Sequence, residues 1–475
     1  MTSLRVLRTP ISALCLVAML GATGFAQAAP VIRPLAYTRV TLPNGLVVLL
    51  NEDRSAPLVA VDIWYKIGSK DETVGHSGLA HLCEHLMDEG SPNVKGTQKQ
   101  LVQSVGGASR HWAETFRDYT RYYETVPSNE LETVLWMESD RMAAPLAAAT
   151  AEQVIGSRAV IRQERLQQRE NPVFGLANGY TITELYGAGS PYSHDPLGPM
   201  DDLEHATLDD ARQFCRPYYV PNNAVLSLSG DFDTRAATHL VERYFAPIAR
   251  GVVPAHPSIP DPTRAAEARY VLEDARARQP VLRIVWPTVG FASRDKIALN
   301  ALASVLVTGR GGRLGKTLID DRQLATSVAA DNFDDPLGGL FQIEVVPRGN
   351  ASLTTIEQVV DSVLASVSQS PPTARELRRF ANANVLTSIT KLQTREARAD
   401  TLAQGAMWAN DPADYAKQVD LGTRLTSENV IRVARTYLGV GRLVISMIPA
   451  GKRELISKPE LPVTVLAPLA ARVSP

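Results

Sequence analysis

The chain reads as an α+β protein made of two homologous domains, each a mostly antiparallel sheet packed with helices. Landmarks recur at nearly constant spacing. Trp64 and Gly68 match Trp286 and Gly290, both 222 residues on; Val126-Pro127 matches Val346-Pro347 at 220, and Tyr219 matches Tyr437 at 218. Such spacing between segments of matching periodicity marks a duplication. The Pro-rich stretch Val253-Pro254-Ala255-His256-Pro257-Ser258-Ile259-Pro260-Asp261-Pro262 divides the chain near its middle as an extended linker. In each half, strand pairs alternate with long helical stretches such as 131–142, 355–366 and 374–390.

Taken in order, the sequence divides into a leader (1–29), an N-terminal domain (30–250), the linker (251–268), a C-terminal homologous domain (269–457) and a tail (458–475). In the leader, Arg5 and Arg8 precede an apolar run over residues 11–22, and Ala26-Gln27-Ala28 offers a small-x-small cleavage site. That is the pattern of a secretory signal peptide. Its apolar core is short for a membrane span, so no stable span is expected after cleavage. Cys15 leaves with the leader. Cys83 and Cys215 remain, too few for a disulfide scaffold, and core packing is the role expected of Cys83. Export with few cysteines suits a bacterial periplasm. Apolar content of 45% and charged content of 21% are those of a soluble globular protein. The net charge of −1 leaves no basic excess for nucleic acid. The tail is punctuated by proline and admits two readings, a disordered end or a strap along a partner.

The N-terminal domain holds the chemistry. A strand over residues 61–69 runs into a turn and then Gly78-Leu79-Ala80-His81-Leu82-Cys83-Glu84-His85-Leu86-Met87, a run of helix-forming composition. Histidines at i and i+4 share a helical face, so His81 and His85 can hold one metal ion. Glu84 is placed to take a proton from the attacking water. This His-x-x-Glu-His order reverses the commoner zinc-protease motif. Catalytic zinc usually takes three protein ligands. The charged helical stretch 152–170 offers Glu152, Glu164 and Glu170, and spacing alone does not choose among them.

The motif, followed by Val160-Ile161-Arg162-Gln163-Glu164-Arg165 and Glu170-Asn171-Pro172, resembles the pitrilysin, insulinase and mitochondrial processing peptidase family of zinc peptidases. The resemblance extends through Thr41-Leu42-Pro43-Asn44-Gly45-Leu46, Asp118-Tyr119-Thr120-Arg121-Tyr122-Tyr123, Glu138-Ser139-Asp140-Arg141-Met142 and Tyr218-Tyr219-Val220-Pro221-Asn222-Asn223-Ala224, leading to Gly230-Asp231-Phe232-Asp233. It implies Glu164 as the third zinc ligand, beside His81 and His85. It also implies two domains facing each other across a cavity that holds the peptide. The second copy carries no metal motif: its counterpart of the motif helix, 293–306, has no histidine, and none follows His256.

Three departures from the family pattern bear on function. Single-chain active members carry an arginine and, seven residues later, a tyrosine in the second domain that reach the substrate. Here Ile319 and Thr326 stand at those places, and Arg322 could substitute only on a rotated helix. A supporting glutamate seven residues before the third ligand is replaced by Ser157, and the strand that pairs with substrate aligns at Trp112-Ala113. The expectation is therefore the zinc-bearing subunit of a heterodimer whose partner supplies the Arg/Tyr pair. The alternative is a non-catalytic assembly subunit of the same fold. The loop Gly309-Arg310-Gly311-Gly312-Arg313-Leu314-Gly315-Lys316-Thr317 has the wrong spacing for a phosphate loop.

Overall fold

The computed structural model describes residues 32–107, 113–259, 266–439 and 441–466. The leader, His111, Trp112, residues 260–265 of the linker and residues 467–475 of the tail lie outside them.

Strands β1 (Thr38–Thr41), β2 (Val47–Glu52), β3 (Leu58–Tyr65), β4 (Ala113–Thr115), β5 (Thr120–Pro127) and β6 (Ala224–Gly230) form one sheet, in the order β1-β2-β6-β3-β5-β4. Strands β7 (Ala268–Asp274), β8 (Val281–Thr288), β9 (Ala325–Asp334), β10 (Gly339–Pro347), β11 (Leu443–Pro449) and β12 (Thr464–Val465) form the second, ordered β12-β7-β11-β8-β10-β9. Five strands follow one plan in both: the last long strand inserts between the first two, parallel to one and antiparallel to the other. The sixth differs, because β1 pairs antiparallel with β2 whereas β12 pairs parallel with β7. The described part of the tail therefore meets its own sheet at Thr464–Val465, and Lys458 is tied to buried Glu357 at 2.7 Å.

Alternation along the strands decides what covers each face. Val59, Val61, Ile63 and Tyr65 of β3 join the core beneath the first half's own helices. The next face carries Trp64, which packs with Leu402, Ala403 and Ala406 of helix Arg395–Ala409, from the second half. The exchange is reciprocal. Helix Ala177–Tyr186 of the first half sends Ala177 and Tyr180 onto Leu272, Val281 and Ile445 of the second sheet. Each sheet thus has one face on its own helices and one on a helix borrowed from the opposite half.

This settles the match between the repeats. Trp64 lies on the borrowed-helix face, but Trp286 lies in the second half's own core with Ile284 and Leu282. A one-residue slip moves a strand residue to the other face, so Tyr65, not Trp64, stands where Trp286 does. The spacing of 222 holds for Gly68 and Gly290, which are alike in their contacts. A Cβ on Gly68 would meet Phe116 O and Arg117 O at 2.3 Å, and one on Gly290 would meet Pro336 O at 2.7 Å and Asp335 O at 2.9 Å.

Polar groups lock the crossing. Arg121 reaches Asp62 at 3.2 Å, Glu114 at 2.5 Å and Asp400 of the borrowed helix at 2.7 Å, with its guanidinium over Tyr123. Asp62 is buried, and burial pushes its carboxyl up against the pull of Arg121. Removing the cation strands that carboxylate. Arg121→Ala should therefore destabilise the chain by about 3 kcal/mol, read as a lower urea midpoint with an unchanged slope. A loss below about 1 kcal/mol, the range of exposed pairs, would show the cluster to be incidental.

Candidate metal centre

The motif helix, Leu79–Asp88, begins at Gly78, whose φ of 90° is a left-handed conformation suited to glycine. Leu79, Leu82, Cys83 and Leu86 recur at helical spacing and are buried in the first core. The other side presents His81 and His85 to helix Ala151–Arg165, which buries Val154, Ser157 and Ile161 and leaves Glu164 beside the imidazoles. A π-helical turn, Leu166–Glu170, follows directly.

The donors converge. Nε2 of His81 is 3.2 Å from Nε2 of His85 and 3.4 Å from Glu164 Oε2, and His85 Nε2 is 3.8 Å from Glu164 Oε1. Ligands about 2.0–2.1 Å from a tetrahedral zinc ion lie about 3.3 Å apart, so the spacing fits one ion. Charge fits as well. Burial drives the His81 imidazole down to about 3 and His85 to about 4, leaving both neutral with lone pairs to donate. Burial also raises Glu164, and among the described residues neither Glu84 nor Glu164 forms an ion pair with lysine or arginine. Buried Glu84 and half-buried Glu164 thus sit beside two neutral imidazoles, an electron-pair-donating group that suits a cation.

Glu84 stands apart from the donors, with Oε2 at 3.9 Å from His81 Nε2. Burial pushes its carboxyl up to about 8, while the Thr115 hydroxyl donates to it at 2.7 Å. Thr115 belongs to β4, so a sheet edge that is unpaired among the described residues lies beside the candidate base. Support around the ligands is sparse: His81 Nδ1 and Ser157 Oγ are buried without hydrogen-bond partners.

Cys83 packs in the first core, as its spacing predicts, and the structure adds a bond that reading lacked. Cys83, between the two histidines, is joined to Cys215 at the end of helix Leu208–Cys215, with Cα atoms 6.2 Å apart, inside the normal range. The signal was present: an even number of cysteines left after an export leader. Thr115 had no such signal, because nothing local marks a three-residue edge strand. Among the described residues, no other histidine joins the donor group. His76 is exposed, His205 Nδ1 bonds Asp201 O, His194 pairs with Glu72, and His256 pairs with Asp71. Ile319 packs on the second core, the Thr326 hydroxyl donates to Val346 O at 3.3 Å, and Arg322 is exposed. The glycine-rich segment read as a loop is helical from Arg313 on, and its Lys316 is tied to Asp321 at 2.5 Å.

Two α+β repeats with a His, His, Glu donor set in one of them define a class of metallopeptidase-like proteins. The chain belongs to the peptidase M16 (insulinase) family: residues 47–182 match the model described as Insulinase (Peptidase family M16), and residues 205–384 that described as Peptidase M16 inactive domain. Among its relatives is "Zinc protease PqqE" of Helicobacter pylori, 26% identical over 411 residues, 84% of this chain and 90% of that protein. Another is "Probable mitochondrial-processing peptidase subunit beta" of Schizosaccharomyces pombe, 24% identical over 428 residues, 86% of this chain and 90% of that one. A solved protease from Helicobacter pylori has the same fold, with a TM-score of 0.80 at 24% identity over 88% of this chain and 100% of that one. Pitrilysin superimposes with a TM-score of 0.71 at 18% identity, over 87% of this chain but 45% of its own.

Proposed function

We propose that this chain is a zinc-dependent endopeptidase acting on extended peptides or unfolded polypeptides, and that it is the zinc subunit of a heterodimer. The observation that carries this reading is the convergence of His81, His85 and Glu164 with Glu84 beside them. Zinc bound there would polarise the scissile carbonyl and acidify the attacking water. The substrate backbone adds to the free edge of β4, which favours extended chains and sets the scissile bond beside Glu84. Glu84 takes the proton from water and passes it to the leaving amine. The Thr115 hydroxyl donates to Oε2, the carboxylate oxygen 3.9 Å from His81 Nε2, and so orients the base toward the donors.

One observation supports a partner: Ile319 and Thr326 cannot donate the hydrogen bonds of an arginine and a tyrosine. A related subunit bearing the Arg/Tyr pair would supply them. The leader and the Cys83–Cys215 bond support a periplasmic location, where disulfides persist. The related protease PqqL from Escherichia coli is described as periplasmic.

The test is an assay of the purified chain lacking residues 1–29, its zinc quantified, against a mixed peptide library. Bound zinc with negligible cleavage, restored by a partner carrying the pair, is the expected result. Cleavage by the lone chain would remove the need for a partner. A chain that binds no zinc would leave the assembly-subunit reading in its place.

A further inference from the structure

We infer that Glu72 and residues 194–198 form a clamp that positions both ligand-bearing helices and thereby sets metal affinity; this rests on the metal-centre reading above. The motif helix has no side-chain cap of its own, because its N-cap is Gly78. The first N–H groups of a helix need partners from elsewhere. Glu72 supplies them. Its Oε1 accepts from Ala80 N at 2.8 Å and its Oε2 from Gly78 N at 3.0 Å, one residue short of His81. A carboxylate at this end also faces the positive pole of the helix.

His194 holds that carboxylate, with Nε2 2.9 Å from Glu72 Oε2. The same segment reaches the second ligand helix. Gly198 O accepts from the guanidinium of Arg165, the residue after Glu164, and Arg165 is braced by Glu170 at 2.8 Å. Gly198, at φ +54°, also lies directly on the start of the motif helix: a Cβ there would come within 3.1 Å of Gly78 N and of Ser77 C. Between these points Asp195 is pinned by Arg169 at 2.8 Å. One short loop therefore grips the start of the helix bearing His81 and the end of the helix bearing Glu164. Glu72, Arg165, His194 and Gly198 line one cavity of about 720 Å³, on the wall of which the clamp is built. These side chains act through the backbone of the ligand helices, so they are positioning residues.

Zinc affinity is to be measured by chelator competition for the full chain and for Glu72→Gln, His194→Ala and His194→Gln. Amide exchange is followed in the same proteins without metal. Glu72→Gln keeps the shape but loses the charge and one acceptor, and His194→Gln keeps a donor. Glu72→Gln and His194→Ala should weaken zinc binding about 10- to 100-fold, with His194→Gln close to the parent. In metal-free protein, exchange should quicken at residues 78–82 while β3 stays protected. Affinities within about twofold of the parent, or protection lost across the whole first sheet, would overturn the clamp. A parent chain that binds no zinc would refute the proposed function alone, and the exchange pattern would still decide: faster exchange confined to 78–82 upholds the clamp, any other pattern overturns it.

Discussion

Glu84→Gln leaves zinc bound and removes turnover. Glutamine has the volume of glutamate and can still accept from the Thr115 hydroxyl, which donates to Glu84 Oε2 at 2.7 Å. It lacks a basic oxygen, so this position can no longer take the proton from water. Positioned acid–base groups contribute about 10² to 10⁴ in rate, and the proposed mechanism gives one side chain both proton transfers. The expected loss in kcat/KM is therefore at least about 10³, measured in whichever form, lone chain or heterodimer, is active. Zinc content should not change, because His81, His85 and Glu164 form the donor set and Glu84 is outside it. Turnover that survives the substitution would refute the role of Glu84. Turnover and zinc lost together would instead make Glu84 part of the metal's own support.

Cys215→Ser should cost more stability than any other single change considered. The bond to Cys83 closes a span of 132 residues and ties the motif helix to helix Leu208–Cys215. Loop-closure entropy for that length is about 5 kcal/mol, and measured losses of native disulfides run about 2–5 kcal/mol. Against a typical stability of about 5–15 kcal/mol, that is a large share. The urea midpoint of the variant should fall accordingly, and a reductant should lower the parent to the same value without changing the variant. Equal midpoints for parent and variant under oxidising conditions would show the bond to be absent in solution.

The site was legible in the sequence to the extent that it is local. His81 and His85 meet because residues four apart share a helical face, whatever the rest of the chain does. Glu164 was one of three candidates on one charged stretch, and periodicity gave no reason to prefer it to Glu152 or Glu170. Glu72 sits six residues ahead of Gly78 in a loop, and its role depends on a turn that folds it back on the helix start. His194 showed no metal spacing, and it serves the site through Glu72 from more than a hundred residues away.

The repeat architecture divides in the same way. Alternation, helix length and recurring landmarks, all read along the chain, determined an α+β duplication with the His-x-x-Glu-His motif in one half. Which strand residue of one half answers to which of the other was decided by faces: Tyr65 corresponds to Trp286, since a one-residue slip in a period of two reverses every side chain. The exchanged helices, the Arg121–Asp400 lock and the Cys83–Cys215 bond were likewise settled only in three dimensions. Each joins residues far apart in the chain. Such contacts follow from how whole faces pack against one another, and local spacing in the chain carries no record of that.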